Sequence, residues 1–246
     1  NYSARFTLAD SRTKITRYSN PSGLIDGFYA GKYVGEIWGY ETIGIAQSDQ
    51  EMAEHIGRLI NGGQSNLGQD WKAGDIMYKD LNEDGKIDAG SHTLQDHGDL
   101  KRIGNSTPRY NVGLELAADW KGFDIRMFWQ GTLKRDYFQG SYYFWGANGR
   151  QGPWFSTALK GHDDYFRNDE ASPLGTNLNS YYPRPLFNTD KNQQSQTKYL
   201  QDASYLRLKN LQIGYSLPHN IVQKMGMQHL RIFASGENLF TITSLI

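Results

Sequence analysis

The sequence predicts an all-β chain: about five antiparallel strands of a transmembrane β-barrel portion, joined by long loops and one short loop helix. Three observations carry this. Apolar residues alternate with polar ones over runs of about ten residues, the length a tilted membrane strand requires. Long and tight connections between these runs alternate along the chain. The composition is rich in Gly (27), Tyr (16) and aromatics as a whole (13%), with little helical periodicity.

Tyr2 to Tyr18 reads as the first strand, with Ala4, Phe6 and Leu8 on one face and both faces polar beyond Asp10. Residues 19–109 read mainly as loop, with a short strand at Val34 to Glu41. One helix is marked inside it. Ser48 and Glu51 form a capping box, Met52, Ile56, Leu59 and Ile60 share a face, and Gly62 supplies the stop. Tyr110 to Trp120 and Phe123 to Gly131 form the clearest hairpin, turning tightly at Asp119–Gly122. Residues 132–202 are a second long connection, and 14 of the chain's aromatics lie between Tyr137 and Tyr199. Such a loop belongs in a compact protein only if it has a function. Tyr205 to Leu217 is a strand whose apolar phase slips between Leu208 and Leu211, so a bulge is expected near Lys209–Asn210. Asn220 to Met225 is a helical turn closed by Gly226, and a last strand runs from Leu230 toward Thr241.

Alternation of long loops with tight turns is the signature of an outer-membrane barrel, and a soluble β-sandwich accounts for the periodicity equally well. No apolar run approaches the ~20 residues of a membrane helix. The mean hydropathy of −0.67 fits either architecture, since barrel strands alternate and barrel loops are polar. The 26 basic and 26 acidic residues balance, which argues against a nucleic-acid partner. With no cysteine there is neither a disulfide framework nor thiolate chemistry. The start, Asn1-Tyr2-Ser3, reads as mid-chain and carries no signal-peptide pattern.

Five ordered segments resemble the SusC/RagA family of TonB-dependent outer-membrane transporters. They are Val34–Tyr40 with Gly44-Ile45; Gly74-Asp75-Ile76 through Asp80-Leu81-Asn82-Glu83-Asp84-Gly85-Lys86-Ile87-Asp88; Ile103–Tyr110; Lys121–Asp124 through Trp129–Gly131; and Ala203–Leu211 with Gly214-Tyr215 and Ala234–Thr241. The resemblance implies a barrel of about 22 strands around a plug. On that basis residues 1–246 are the C-terminal part of such a barrel, with extracellular loops near 19–109 and 132–202 and with the plug domain and last strand outside this chain. It also implies a non-enzymatic nutrient importer in the bacterial outer membrane. Its partners would be a SusD-like surface lipoprotein, TonB (through segments not in this chain), outer-membrane lipid, and an oligosaccharide or peptide substrate.

Asp80 to Asp88 matches the first nine positions of an EF-hand-type loop. Asp80, Asn82 and Asp84 would offer side-chain oxygens, Lys86 its carbonyl, and Asp88 a direct or water-mediated oxygen. Closely spaced oxygens are what a hard cation such as calcium selects. Ser91 stands where an EF-hand has its bidentate Glu, so the expected role is structural; an Asx-rich turn needing no ion is the other reading. Tyr142, Tyr143, Trp145 and Trp154 are candidate sugar-stacking rings, with packing of the loop on itself or on the lid protein as the alternative. Trp120, Tyr110 and Tyr215 read as interfacial girdle residues. No histidine or serine sits in a catalytic or zinc motif. The competing functions are a surface carbohydrate-binding β module with a calcium-stabilised loop and a glycan hydrolase using paired carboxylates.

Overall fold

The structure is a computed structural model that describes residues 1–147, 149, 154 and 156–245. In chain order the strands are β1 (Tyr2–Ala9), β2 (Glu36–Tyr40), β3 (Thr42–Ile45), β4 (Ile76–Tyr78), β5 (Leu100–Asn105), β6 (Arg109–Trp120), β7 (Phe123–Lys134), β8 (Asp136–Phe138), β9 (Leu200–Asp202), β10 (Tyr205–Ser216) and β11 (Arg231–Thr243). The helices are α1 (Asp49–Gly57), α2 (Tyr142–Trp145) and α3 (His219–Lys224). They divide into two compact units. The first is Asn1–Thr13, Ser106–Tyr137 and Gln201–Ile246; the second is Lys14–Asn105 and Phe138–Leu200.

The first unit is one antiparallel sheet in the order β1-β6-β7-β10-β11. Its register follows the side-chain period of two. Phe6 lies opposite Leu114, Leu114 opposite Trp129, Ile125 opposite Ile213, and Ile213 opposite Ala234. The expected bulge is present: both pairings of β10 shift between Leu208 and Asn210. The extra residue, Lys209, returns Leu206 and Leu208 to the face that holds Leu211 and Ile213. The hairpin between β6 and β7 closes through two residues, Lys121 (φ 47°) and Gly122 (φ 88°). Both angles are positive, as a turn matched to the strand twist requires, and glycine adopts such an angle without strain. At the other end of β10, α3 and Gly226 make the short connection to β11.

The first strand is shorter than the sequence suggests, ending at Ala9 instead of running to Tyr18. Asp10 is gripped by both arms of the Arg109 guanidinium, one of them at 2.6 Å, and this ion pair pins the point where the chain leaves β1 to the point where it re-enters at β6.

The second unit holds most of the buried core. Ile25, Tyr40, Ile76, Tyr78, Ile87 and Leu100 from its first segment pack with Phe144, Trp145, Phe166 and Tyr199 from its second. The small sheets β2-β5 and β3-β4 frame that core. The second segment adds backbone pairing: Tyr40 N–H donates to Ser195 O at 2.8 Å, and Thr197 N–H to Tyr40 O at 3.0 Å. Helix α1 starts as expected, Ser48 Oγ accepting from Glu51 N–H at 3.1 Å, and buries Met52 against Ala46 and Met77. It stops at Gly57, a turn before Gly62, and a tight turn from Leu59 N–H to Ile56 O follows.

Candidate functional site

The sheet of the first unit has two chemically different faces. One carries Ala4, Phe6 and Leu8, then Val112, Leu114 and Leu116, then Ile125, Met127 and Trp129, with Leu211, Ile213 and Tyr215 beside Ile232 and Ala234. This face is uncovered. Phe6 is 64% exposed and Ile232 63%, and among the described residues of this unit only Leu208 and Val222 are buried apolar side chains. A soluble sandwich would bury such a face under a second sheet about 10 Å away. The other face carries Arg5, Glu115, Arg126, Gln130, Arg207 and Gln212. Asp124 and Arg231 pair there across three strands, at 2.9 and 2.5 Å, passing directly over Gly214. Twelve residues rise about 40 Å, or about 28 Å at a 45° tilt, which matches a hydrocarbon core. Trp120, Phe123 and Tyr215 gather at the tight-turn end, the last two with rings 4.4 Å apart. Tyr110 is at the other end, under the Arg109 guanidinium.

The acidic loop is built of Asx turns. Asp80 Oδ2 accepts from Gly85 N–H at 2.8 Å, Asn82 Oδ1 from Asp84 N–H at 3.2 Å, and Asp84 Oδ1 from Lys86 N–H at 3.1 Å. The loop is held at Asn61–Gly63: Asn61 N–H donates to Gly85 O and Ile87 N–H to Gly63 O, each at 2.8 Å. Ile87 is thereby driven into the core. Asp99, which the sequence did not single out, is fully buried and accepts from Leu81 N–H and Asp88 N–H, closing the loop at both ends. Burial pushes its carboxyl above the usual range.

The donor types suit calcium, and Asp80 Oδ1 is buried with no partner. The side chains do not converge, however. Lys86 Nζ lies between Asp88 at 2.6 Å and Asp84 at 3.7 Å, and among the described residues no three His, Cys, Asp or Glu form a metal-holding group.

The aromatic candidates separate by environment. Trp145 is only 7% exposed and packs edge-on against Tyr199 at 4.7 Å and Phe144 at 5.0 Å, so most of its ring is taken up by the core. The rings of Tyr142 and Tyr143 lie 4.2 Å apart, tilted by 37°, with Tyr143 exposed. Trp154 is 89% exposed.

Sequence reasoning missed the most concentrated chemistry of this unit. Asp75, fully buried, accepts from Arg184 Nε at 2.7 Å and Nη2 at 2.8 Å and from Asn192 Nδ2 at 2.8 Å, and pairs with Lys191 Nζ at 2.9 Å. Burial would raise its carboxyl, but the bonds from Arg184, Asn192 and Lys191 outweigh that and hold it below the usual range. The three partners all lie more than a hundred positions away, so no local pattern announces them. A cavity of about 380 Å³ borders this cluster, lined by residues of the second segment from Trp145 to Gln193.

Known proteins agree with this architecture. No family model matches the chain. It is 30% identical over 213 residues to TonB-dependent receptor P3 of Formosa agariphila, covering 87% of this chain and 18% of that protein. TonB-dependent receptor P39 of the same organism is 20% identical over 271 residues, covering 99% of this chain and 25% of the relative. Among solved structures, the RagAB peptide transporter superposes with a TM-score of 0.58 at 20% identity, over 98% of this chain and 23% of the other. The RagAB peptide importer in its open-open state gives 0.55 at 19% identity, over 99% and 23%. The chain thus spans a quarter or less of the relatives it matches.

A lipid-length sheet with one bare apolar face and one polar face, together with these matches, makes the chain part of a TonB-dependent receptor of the bacterial outer membrane. Within that class it shares its fold with the RagAB transporter structures.

Proposed function

We propose that the protein is a nutrient importer subunit, taking up oligosaccharides or peptides with energy from TonB and with a SusD-like lipoprotein as its outer lid. The observation that carries this reading is the uncovered apolar face, continuous over all five strands. Lipid covers such a face without a second protein layer. A secreted carbohydrate-binding module would leave it in water. The two long connections leave and return at one end of the sheet, at Ala9/Arg109 and Lys134/Tyr205, and long barrel loops are extracellular. On this reading residues 14–105 and 138–200 face outward, with Tyr142, Tyr143 and Trp154 as ring surface for ligand or lid.

The acidic loop is the second part of the proposal: a structural calcium site with Asp80, Asn82, Asp84, the Lys86 carbonyl and Asp88 as donors. The unpartnered Asp80 Oδ1 supports it. Lys86 Nζ occupies the charge position between Asp84 and Asp88, so the ion has to displace it. Calorimetry on the full-length receptor should then show calcium binding at millimolar concentration, tightened by Lys86→Ala; no heat in either protein removes the ion from the proposal.

The importer reading is tested by deleting the gene in its native bacterium and measuring uptake of labelled oligosaccharide and peptide mixtures. Uptake of one class should be lost and should depend on TonB. Unchanged uptake of every class would reject the role.

A further inference from the structure

We propose that the outer rim of strands β1, β6 and β7 is a binding surface for the phosphate groups of outer-leaflet lipid, with Arg12 and Arg135 as its contacts. This rests on the outer-membrane assignment and not on what the receptor imports. The lipid-facing phase of each strand ends differently at its two rims. On β1 that phase runs Tyr2, Ala4, Phe6, Leu8 and, past the strand, Asp10 and Arg12. On β6 it runs from Trp120 to Tyr110, and on β7 from Phe123 through Leu133 to Arg135. At the tight-turn end all three close on a ring: Tyr2, Trp120 and Phe123, each more than half exposed. At the long-connection end they close on guanidinium groups: Arg12, Arg109 over the Tyr110 ring, and Arg135.

The register puts these cations at one height. Asp10 follows Ala9, the partner of Asn111, so it stands beside Tyr110, and its ion pair with Arg109 fixes it there. Arg12 is two residues further on. On β7 Lys134 is the partner of Arg109, and Arg135 follows it. Arg135 Nε donates to Ser106 O at 3.1 Å, which holds the side chain beside the entry to β6. Arg12 and Arg135 therefore flank β6, two strand spacings or about 10 Å apart where the chain continues the line of β1. An extended chain carries Arg12 about 7 Å beyond Asp10, which is about 5 Å along the membrane normal at a 45° tilt. The headgroup layer on each side of the hydrocarbon core is about 5–8 Å deep, so both arginines fall within it.

Charge at this height is lopsided in a chain that is neutral as a whole. Residues 10–12, 109–110 and 134–136 hold Arg12, Arg109, Lys134 and Arg135 against Asp10 and Asp136. Asp10 is taken up by Arg109, which grips it with two N–H arms. Arg12 and Arg135 are exposed. A guanidinium has five N–H donors in a planar fork, so bonds within the protein leave others for a second acceptor. That fork matches a phosphate, to which it gives two parallel bonds, and it is more weakly hydrated than an ammonium. The occupant is lipid because the cations continue the face that lipid covers. Leu8 and Leu133, both more than half exposed, precede them on the same phase of their strands. A phospholipid seated here lays its acyl chains on those leucines and its phosphate on the arginines above. A soluble anion gains only the second contact.

The test uses the full-length receptor in detergent, with native mass spectrometry of bound lipid as the readout. The probes are bisphosphorylated lipid A, the same lipid with its phosphates removed, and inorganic phosphate. The wild type should retain the phosphorylated lipid about tenfold or more over the phosphate-free one. Arg12→Gln combined with Arg135→Gln should remove most of that preference, and Arg12→Lys combined with Arg135→Lys should keep part of it. Lys224→Gln, at an exposed cation of α3 on the tight-turn side, should leave it unchanged. Equal retention of the two lipids by the wild type overturns the proposal. So does an unchanged preference in the double glutamine variant, or an equal loss in Lys224→Gln. Displacement of the lipid by inorganic phosphate at about millimolar concentration also overturns it, because the site then takes a free anion. Should the double glutamine variant fail to assemble, salt decides on the wild type. The preference must shrink as ionic strength rises from about 0.05 to 0.5 M, and a preference indifferent to salt rejects the site.

Discussion

Asp75 ties the two segments of the second unit together. Its carboxylate is sealed from water and joins Gly74–Ile76 to Arg184, Lys191 and Asn192. Lys191 is equally buried; its ammonium donates to Gln69 O at 2.7 Å and Asp70 O at 2.9 Å and lies 4.5 Å from the Trp71 ring. Lys191→Met leaves Asp75 short of one charge partner inside the protein, at a cost of about 3–5 kcal/mol. Limited proteolysis of the full-length receptor should show residues 14–105 and 138–200 cut faster in this variant, with the strands untouched; an unchanged pattern would mean the pair is dispensable. The pH dependence follows from the same carboxyl. Its folded pKa lies below the ordinary 3.8, so its contribution is complete above that value and is lost as pH falls through the lower folded one. Protection against hydrogen exchange in the second unit should therefore fall as pH drops below about 4, and less so in Asp75→Asn. None of this was legible in the sequence, because an ion cluster assembled from positions 75, 184, 191 and 192 has no spacing to read. The acidic loop was legible as turns, since Asx geometry is local to Asp80–Asp88. Its anchor Asp99 was not, for the same reason that hid Arg184.

At the scale of elements, the long strands were readable and the short ones were not. In β6, β7 and β10 the alternation repeats often enough to fix both the strand and its inward face, and the phase slip at Lys209 even located the bulge. Strands β3 and β4 have four and three residues, too few for a period, and their pairing partners lie over thirty positions apart. The face assignment can be tested directly, because this chain contributes no cysteine of its own. Single cysteines at Leu116, Met127 and Ile213 should react slowly with a water-soluble maleimide in intact membranes, and those at Arg126 and Gln212 quickly. Equal rates on both faces would dismiss the lipid assignment. Met127→Arg, near the middle of β7, should destabilise the barrel by about 2–4 kcal/mol, whereas Gln212→Arg on the polar face should be close to neutral. Gly214 has a separate constraint. A Cβ there collides with both Asp124 and Arg231, so Gly214→Ala must part the ion pair that ties β7 to β11. Both contacts are the ends of flexible side chains, so the cost is small, about 1 kcal/mol or less, and should appear as at most a slightly lower temperature for the loss of heat-modifiable gel migration.

At the scale of the molecule, the two long connections are one folded body and not two independent loops. Phe144, Trp145, Phe166 and Tyr199 share a core with Ile25, Tyr40, Tyr78 and Ile87, and Ser195–Thr197 hydrogen-bonds with Tyr40. The sequence shows two loop-like stretches and gives no sign that they need each other, because the core they form joins positions far apart in the chain, as Leu100 is from Phe144 and Ile25 from Tyr199. This changes what a deletion should do. Removing residues 140–185 takes Phe144, Trp145, Phe166 and Arg184 out of the second unit, leaving Tyr40 and Tyr78 with open flanks and Asp75 without its bidentate partner. Residues 14–105 should then become protease-sensitive although they are intact in sequence. The sheet should not follow, since the register of its five strands rests on their own hydrogen bonds, and lipid covers its apolar face on the barrel reading. Exposed connections tolerate removal where strands do not. The full-length receptor carrying this deletion should insert and keep heat-modifiable migration, lose lid association and uptake, and be cut within 14–105 by added protease. A variant whose residues 14–105 stay as resistant as in the wild type would show that the first connection folds alone, and the shared core would then be a contact of convenience instead of a condition for folding.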